Sequence, residues 1–446
     1  MIENGFVSDF LTGKERAALS KYRVQGGNRL EGTVRIGGAK NACLAILPAV
    51  LLADEPCRIS NIPNISDALV SLDILEALGA RIRRIDKSTV DIDPTSVNTH
   101  EVPHELARQM RASYYFLGAL LGRFGEARVA LPGGCNFGVR PIDQHLKGFT
   151  ALGATVPAVV KNGMIDASST GLIGNSIYFD VVSVGATINV LLAAVKARGI
   201  TIIENAAKEP HVVDVANFLN SMGADVRGAG TDVIKICGVS HLHGAEYSII
   251  PDQIEAGTYM ACAVATGGDL WIENVIPKHL ESISAKLIEM GAEITEADDA
   301  VRVRMNGPIH ACNIKTMPHP GFPTDMQPQA AVLLALSDGT SIITENIWDN
   351  RFRYIDELRR MGVQATVDGK IAVFQGVPYL SGAPVRALDL RAGAAMMIAA
   401  LAARGQTEIE DIHFIERGYE NFVEKLHNIG ADICRIDIPD AVARHA

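Results

Sequence analysis

A short pattern recurs six times along the chain and constrains its fold more than any other feature. In each copy an apolar residue precedes a glycine, and a small residue and a β-favouring stretch follow it. Neighbouring glycines of the pattern are 68 to 74 residues apart, at Gly79, Gly153, Gly223, Gly291, Gly362 and Gly430. A period of this length, kept through the whole chain, indicates a repeat architecture.

The glycines predict where helices end. Each follows a segment with helical spacing of apolar residues, as in Leu72, Leu75 and Leu78. The glycine then fits the position just after a helix, where the left-handed conformation is costly for a side chain. A second pattern interleaves, in which an Ala/Leu-rich helix precedes a strand that closes on Asn61, Asn205, Asn274, Asn346 or Asp411; the copy near Leu131 is the weakest. These helices are apolar nearly all round, so we expect them to be buried.

The two patterns together predict six copies of an α/β unit of about 70 residues, each with two helices and several strands. Six units suggest two lobes of three, with the apolar helices inside and the sheets outside. No stretch rich in Pro, Gly and Ser marks a boundary between the lobes.

Composition excludes several classes of protein. The chain has 446 residues, of which 48% are hydrophobic, so it is not mainly disordered. A net charge of −10 argues against nucleic acid or anionic lipid as a partner. The seven cysteines show no metal-ligand spacing, which predicts reduced thiols and no metal. The longest apolar run, Ala394 to Ala403, is too short for a membrane span, and no secretory signal is present, so we expect a cytoplasmic protein.

One candidate for chemistry is the thiol of Cys135. It lies in the segment Leu131 to Asp143, in which three glycines and two prolines disfavour helix and strand. A thiol on an exposed loop between Arg128 and Arg140 is expected to be reactive. The alternative is a surface hairpin with an inert cysteine.

Two glycine-containing turns lead from strand to helix. Gly37-Gly38-Ala39-Lys40-Asn41 would offer free N–H groups, the helix dipole and a lysine to an anion. Asp180 to Thr187 could hold a diphosphate in the same way, with Ser183 as a helix cap. A plain tight turn and simple capping are the alternatives.

Charged residues elsewhere could complete a site. The proline-rich segment Pro318 to Gln327 delivers Asp325 to a helix start, where it could accept a proton or cap the helix. Arginine binds phosphate and carboxylate through two parallel hydrogen bonds. The arginines considered are Arg111, Arg351, Arg391 and Arg417. Each could equally be a solvated surface residue.

Taken together, these segments resemble the enolpyruvyl transferase family over about Tyr22 to Ile436. The matching motifs, in the family's order, are GGAKN, MRAS, LPGGC, SVGAT, ENAA, PTDMQ, NRF, DLRA and ERGYE. The resemblance implies an inside-out α/β barrel of two lobes, each of three similar units. One lobe would be 40–249, and the other would be 1–39 together with 250–446.

The resemblance also implies an activity. It predicts transfer of the enolpyruvyl group of phosphoenolpyruvate to the 3′-hydroxyl of UDP-N-acetylglucosamine, an early step of peptidoglycan synthesis, without metal or cofactor. Cys135 would be the acid and Asp325 the base, assisted by Lys40 and Arg417. The residues implied for phosphoenolpyruvate are Lys40, Asn41, Arg140, Arg351, Arg391 and Arg417. Those implied for the UDP-sugar are Asn41, Arg111, Arg140, Pro141, Ile142, Asp143, Gln144, Val181, Val182, Ser183, Val184, Gly185, Asp325 and Ile347.

Two departures from the family pattern leave alternatives open. Val181 stands where some members have lysine, and Gln253 stands where arginine is common. The chain could therefore be a binding or regulatory paralogue. The shikimate-pathway enolpyruvyl transferase is a second alternative, although it lacks a loop like that of Cys135, and a repeat scaffold for protein partners is a third. An exposed Cys135 further predicts covalent inactivation by the epoxide fosfomycin. The segment Met1 to Lys21 suggests no role.

Overall fold

In the part of the chain that the structure describes, six β-sheets correspond to the six repeats of the sequence. The structure is a computed structural model that describes residues 20–130, 142–156 and 163–437. The strands, in chain order, are β1 Ser20–Gln25, β2 Glu31–Arg35, β3 Cys57–Ser60, β4 Arg81–Arg84, β5 Val90–Asp93, β6 Glu126–Ala130, β7 Met164–Ser168, β8 Ser176–Tyr178, β9 Ile200–Glu204, β10 Asp225–Arg227, β11 Val233–Cys237, β12 Glu246–Ser248, β13 Asp269–Glu273, β14 Glu293–Glu296, β15 Ala300–Arg304, β16 Ile314–Lys315, β17 Thr340–Thr344, β18 Gln364–Asp368, β19 Ile371–Gln375, β20 Pro384–Arg386, β21 Gln406–Glu410 and β22 Asp432–Asp437.

The helices give the chain its α/β character. In chain order they are α1 Lys40–Ala49, α2 Ser66–Ala77, α3 His104–Ala107, α4 Tyr115–Phe124, α5 Asp143–Ala151, α6 Val184–Ala194, α7 Pro210–Ser221, α8 Gln253–Ala265, α9 Glu281–Glu289, α10 Gln327–Ala335, α11 Ile355–Arg360, α12 Leu390–Ala402, α13 His413–Glu416 and α14 Phe422–Asn428. Short 3₁₀ turns lie at Val50–Leu52, Arg111–Tyr114, Pro277–Leu280 and Thr324–Met326. None of the helices in the described ranges is both long and apolar enough to span a bilayer.

The chain divides into two compact units. The first unit takes the described residues up to Ile36, then Ile254–Met317, and those from Phe322 onward. The second unit takes Gly37–Gln253 together with the short segment Pro318–Gly321. The sequence did not predict that this short segment belongs with the second unit. The lobe boundaries suggested by the resemblance stay a proposal.

Five of the sheets share one topology, which is the structural form of the repeat. The first unit has the sheets β20-β21-β1-β22, β14-β15-β13-β2 and β16-β17-β19-β18, and the second has β12-β3-β5-β4, β10-β11-β9-β8 and the pair β6-β7. In every four-stranded sheet one edge strand is parallel to its neighbour, as β12 is to β3, and the other pairings are antiparallel. The fold is therefore α/β with a repeated unit, as the sequence predicted.

Among the described helices, six are buried on nearly every side, one for each repeat. They are α1, α4, α6, α8, α10 and α12. Within the second unit α4 packs against α6, and within the first unit α10 packs against α12. The strands instead alternate, so that one face is buried and the other is exposed, as in β9 and β21. An all-round apolar helix loses contact with water only in the interior, so these helices form the cores of both units.

The repeat glycines confirm the prediction that they end helices. All six have a positive φ, between 88° at Gly153 and 104° at Gly79. After Gly79, the amide of Ala80 donates to the carbonyl of Leu75 at 2.9 Å, a hydrogen bond typical of a left-handed helix end. Each glycine thus reverses the chain from helix into strand.

The asparagines that close the strands hold the parallel edge strands in place. Asn61, Asn205 and Asn274 have φ of 57°, 58° and 57°, a conformation that asparagine tolerates better than most residues. Their side-chain amides donate to carbonyls just beyond the parallel neighbours β12, β8 and β2, over 2.8, 2.8 and 2.7 Å. The second sequence pattern therefore marks where two parallel strands are joined.

Candidate functional site

Most of the site candidates among the described residues lie in three groups of neighbours, each within one unit. Cys135, Arg140 and Pro141 lie outside the described residues. The first two groups, around Lys40 and around Gln144, belong to the second unit, and the third, around Asp325, belongs to the first.

The turn before α1 presents a lysine side chain rather than free amides. The amide of Ala39 donates to the carbonyl of Ile250 at 2.7 Å, and the amide of Lys40 donates to Oδ2 of Asp252 at 2.9 Å. The expectation that this turn offers free N–H groups to an anion is therefore wrong for both residues, because their donors already have acceptors. The Lys40 ammonium lies 3.4 Å from the buried carboxylate of Asp67, and the Lys40 side chain is 14% exposed, so it keeps a route to solvent or ligand.

Gly38 is predicted to stabilise this turn because a side chain does not fit there. A Cβ at Gly38 would lie 1.7 Å from the carbonyl oxygen of Asn61. We expect Gly38→Ala to lower the free energy of unfolding by about 1–3 kcal/mol, because backbone on both sides must move. Gly307→Ala is the control, since nothing lies within 4 Å of a Cβ there. Urea unfolding of the two variants checks this, and equal midpoints would contradict it.

Gln144 joins two segments of the second group. Its Oε1 accepts a hydrogen bond from the amide of Asp180 at 3.0 Å, and its Nε2 donates to Oδ2 of Asp180 at 3.1 Å. This ties the first turn of α5 to the turn before α6. The candidates Ile142 to Gln144 and Val181 to Gly185 therefore lie side by side, which their spacing in the sequence does not reveal.

His145 lies at the centre of the second group and was not singled out from the sequence. Its ring is 5.2 Å from that of Tyr114, and a Cβ on Gly185 would lie 2.7 Å from its Nε2. Burial lowers the pKa of the His145 imidazole from 6.5 to about 4, so the ring is neutral at pH 7. Tyr114 ends the 3₁₀ turn that begins at Arg111, so this candidate belongs to the same group.

The second group contains buried polar atoms that lack a hydrogen-bond partner in the described part of the chain. Nη1 of Arg111 and both ring nitrogens of His145 are buried and have no hydrogen-bond partner within the described ranges. Buried polar atoms normally have partners, so an exception suggests a place where a ligand or water would bind. Ser183 does cap α6, because its Oγ accepts from the amide of Ala186 at 3.3 Å, while Val181 is 60% exposed.

The third group is a carboxylate shared by two arginines. Asp325 Oδ2 accepts from Nε and Nη2 of Arg391 at 3.2 and 3.1 Å, and its Oδ1 accepts from Nη2 of Arg351 at 3.4 Å. The arginine side chains are only 5% and 3% exposed, whereas Asp325 is 30% exposed. Pro323 and Met326 occupy the N-cap positions of the 3₁₀ turn and of α10, so the interpretation of Asp325 as a helix cap is wrong.

Tyr419 forms a hydrogen bond with Arg391 and was not singled out as a site residue from the sequence. Nη1 of Arg391 donates to the Tyr419 hydroxyl at 3.4 Å, and that hydroxyl is 2.9 Å from Oγ1 of Thr258. Asp389 accepts from the amide of Arg391 at 2.8 Å and so begins α12. Arg417 is half-buried two residues before Tyr419. These contacts fix the guanidinium of Arg391, while the Asp325 carboxylate that it contacts stays partly exposed to solvent.

Four of the remaining cysteines have the character of core residues. Burial raises the pKa of the thiols of Cys57 and Cys312 to about 11 and that of Cys262 to about 12. Burial likewise raises the pKa of Cys43. These thiols stay protonated at pH 7 and are poor nucleophiles.

The family model for EPSP synthase (3-phosphoshikimate 1-carboxyvinyltransferase) matches residues 24–426. A protein of Caldanaerobacter subterraneus subsp. tengcongensis named UDP-N-acetylglucosamine 1-carboxyvinyltransferase 3 is 59% identical over 94% of this chain and 100% of its own length. A protein of Clostridium botulinum named UDP-N-acetylglucosamine 1-carboxyvinyltransferase is 55% identical over 94% of this chain and 100% of its own length.

A solved structure extends the similarity to the fold. The crystal structure of the enolpyruvyl transferase NikO from Streptomyces tendae superimposes with a TM-score of 0.85 at 29% identity, covering 94% of this chain and 99% of that one. The match of fold, family model and full-length relatives leaves one assignment: the chain belongs to the EPSP synthase family of enolpyruvyl transferases.

Proposed function

We propose that the chain transfers the enolpyruvyl group of phosphoenolpyruvate to the 3′-hydroxyl of UDP-N-acetylglucosamine and releases phosphate. The names of the relatives support this acceptor. The observation that carries the proposal is the carboxylate of Asp325, which is in direct contact with the buried guanidinium groups of Arg351 and Arg391. A base beside fixed cations is what the reaction needs.

The reaction proceeds by addition and then elimination. The oxygen of the sugar hydroxyl forms a bond to C2 of phosphoenolpyruvate, C3 gains a proton, and a tetrahedral ketal results. The C2–O bond to phosphate then breaks and C3 loses a proton, which leaves the enolpyruvyl ether and phosphate. Asp325 accepts the hydroxyl proton, and Cys135 supplies the proton to C3.

The cationic residues hold the anionic substrate. Arg351 and Arg391 both contact the carboxylate of Asp325, and their guanidinium groups are suited to donate to the phosphate or carboxylate of phosphoenolpyruvate. Lys40, Arg140 and Arg417 bind the same substrate. Fixed cations that do not reorganise during the reaction stabilise the charge of the transition state.

The second group binds the UDP-sugar. Arg111 offers a buried donor without an acceptor in the described chain, and Gln144 holds the two candidate segments together. Asn41 and Ile347 complete the proposed contacts. The reaction would be the first committed step of peptidoglycan precursor synthesis and would take place in the cytoplasm.

The test is phosphate release from phosphoenolpyruvate with UDP-N-acetylglucosamine or with shikimate 3-phosphate as acceptor. We expect turnover with the UDP-sugar alone, and a loss of about 10²- to 10⁴-fold in kcat for Cys135→Ala, because the proton donor is removed. Cys434→Ala is the matched control, since that half-buried thiol on β22 belongs to no proposed group. Turnover with shikimate 3-phosphate alone would assign the other acceptor, and binding without turnover would indicate a binding paralogue.

A further inference from the structure

Glu345 is a fully buried carboxylate with four hydrogen-bond donors around it. It is 0% exposed and follows directly after β17. Its Oε1 accepts from the hydroxyl of Thr316 at 2.9 Å and from the amides of Ile347 and Trp348 at 2.8 and 3.1 Å. Its Oε2 accepts from the hydroxyl of Thr324 at 3.0 Å. These contacts join three separate segments of the first unit.

The four donors around Glu345 require a side chain whose two terminal atoms both accept hydrogen bonds. Backbone amides can only donate, so Oε1 of Glu345 must accept twice. The hydroxyl of Thr316 itself accepts from the amide of Asn346 at 2.9 Å, so its own proton points to Glu345. A carboxylate accepts on both oxygens, whereas a glutamine amide would place a donor at one of the two ends.

The segments that Glu345 joins contain or directly precede residues of the proposed site. Thr316 precedes the point where the chain leaves the first unit after Met317, and Thr324 follows the return at Phe322. Asp325 is the next residue after Thr324, and Ile347 is a proposed UDP-sugar contact. Glu345 thus holds the segment from Thr316 to Thr324 at both ends, and the proposed base Asp325 follows directly after this segment.

Thr324 is held from two sides. Its hydroxyl donates to Glu345, and its carbonyl oxygen accepts from Nη2 of Arg351 at 3.3 Å. The same Nη2 contacts Oδ1 of Asp325. The backbone that precedes the proposed base therefore has little freedom to rotate.

We propose that Glu345 is a positioning residue for this reaction, and that it sets the place of the Asp325 carboxylate through Thr324 and the place of the Ile347 backbone through its amide. The inference rests on the proposed function. It assigns a role to a residue that touches neither substrate. A misplacement of about 1 Å in a reacting group can cost about 10²-fold in rate, so the hydrogen bonds that hold Thr324 affect turnover through the adjacent Asp325.

The link to Asp325 is tested by removing one hydroxyl. Thr324→Val removes the donor to Oε2 of Glu345 and keeps the size of the side chain. We expect kcat to fall by about 10- to 100-fold with the affinity for UDP-N-acetylglucosamine, measured by calorimetry, unchanged within about 2-fold. Thr324→Ser restores the hydroxyl and is expected to restore most of kcat. Thr340→Val is the matched control, because Thr340 is exposed at the start of β17.

A double-variant cycle separates positioning from a general structural effect. If Thr324 acts through Asp325, adding Thr324→Val to Asp325→Asn lowers kcat by less than about 2-fold further, because the base is already absent. An equal fold-loss in both backgrounds would overturn the proposal. Thermal unfolding of every variant shows whether the protein is folded.

Glu345→Gln tests the second link. The glutamine keeps an oxygen for the two amides but weakens the cluster from charge-assisted to neutral hydrogen bonds. We expect it to lower kcat and also to weaken UDP-N-acetylglucosamine binding by about 3-fold or more, unlike Thr324→Val, because the hydrogen bond from the Ile347 amide loses its charge assistance too. Wild-type kcat and affinity in this variant would overturn the proposal. Absence of turnover by the wild-type protein would instead overturn the proposed function, and this inference with it.

Discussion

Replacing Asp325 with asparagine is expected to lower kcat by about 10²- to 10⁴-fold, the usual contribution of a general base. Asparagine has nearly the same shape but does not take up the hydroxyl proton of the acceptor sugar. Arg351 and Arg391 lose the carboxylate that they share, so both become better donors to an incoming anion. We therefore expect affinity for phosphoenolpyruvate to rise slightly while turnover collapses, as measured by steady-state kinetics and calorimetry.

Asp356→Asn is the matched control for this variant. Asp356 also lies in the first unit and also pairs with an arginine, Arg359, but the pair is exposed on α11. The same change of charge there is expected to leave kcat unchanged, because exposed ion pairs contribute little. If Asp325→Asn instead raised KM for phosphoenolpyruvate and left kcat intact, Asp325 would be an orienting residue for the arginines and not the base.

The repeat could be predicted from the sequence because its cause is local. Glycine, as at Gly291, is favoured where a helix ends in a left-handed residue, and asparagine, as at Asn274, is favoured where a strand closes on its parallel neighbour. Both preferences come from the backbone and recur at the repeat spacing. The assignment of Pro318–Gly321 to the second unit has no such local signal, because it depends on contacts with residues that are distant in the sequence.

The sequence predicted which residue types form the site, but it did not predict which of these residues contact one another. The arginine motifs suggested anion binding, yet only the structure shows that Asp325 is shared by two of them. The amides of Ala39 and Lys40 have acceptors because Ile250 and Asp252, more than two hundred residues later, lie beside the turn. The sequence carried a weak signal for Glu345, because this acidic residue falls on the alternation of β17 that faces inward. Its four hydrogen-bond donors could not be predicted, because they come from three segments.

Among the buried groups of the second unit, His145 and Asp214 are expected to change its stability in opposite directions on acidification. Burial holds the pKa of His145 at about 4, below its ordinary 6.5. Between these values the unfolded chain binds a proton that the folded chain does not, so stability falls as the pH decreases from about 6.5 to 4. The contribution is about 3 kcal/mol at most. His145→Gln is expected to remove this loss.

Asp214 contributes with the opposite sign. Burial raises the pKa of this carboxyl from 3.8 to about 6, even though the Tyr247 hydroxyl and the Ile250 amide donate to it. Between these values the folded chain binds a proton that the unfolded chain does not, so stability rises as the pH decreases from about 6 to 4. This gain is also about 3 kcal/mol at most. Asp214→Asn is expected to remove it.

Because the two contributions offset each other, each variant alone should change the pH dependence more than both together. Both tryptophans, Trp271 and Trp348, lie in the first unit, so their fluorescence does not report on the second. The measurement is therefore the urea midpoint at which α6 loses protection, read by pulse-labelling hydrogen exchange at pH 4.5 and pH 7. Relative to the wild type, we expect His145→Gln to lose less stability on acidification, Asp214→Asn to lose more, and the double variant to lie between them. Equal pH shifts in the two single variants would mean that neither group titrates as its burial requires.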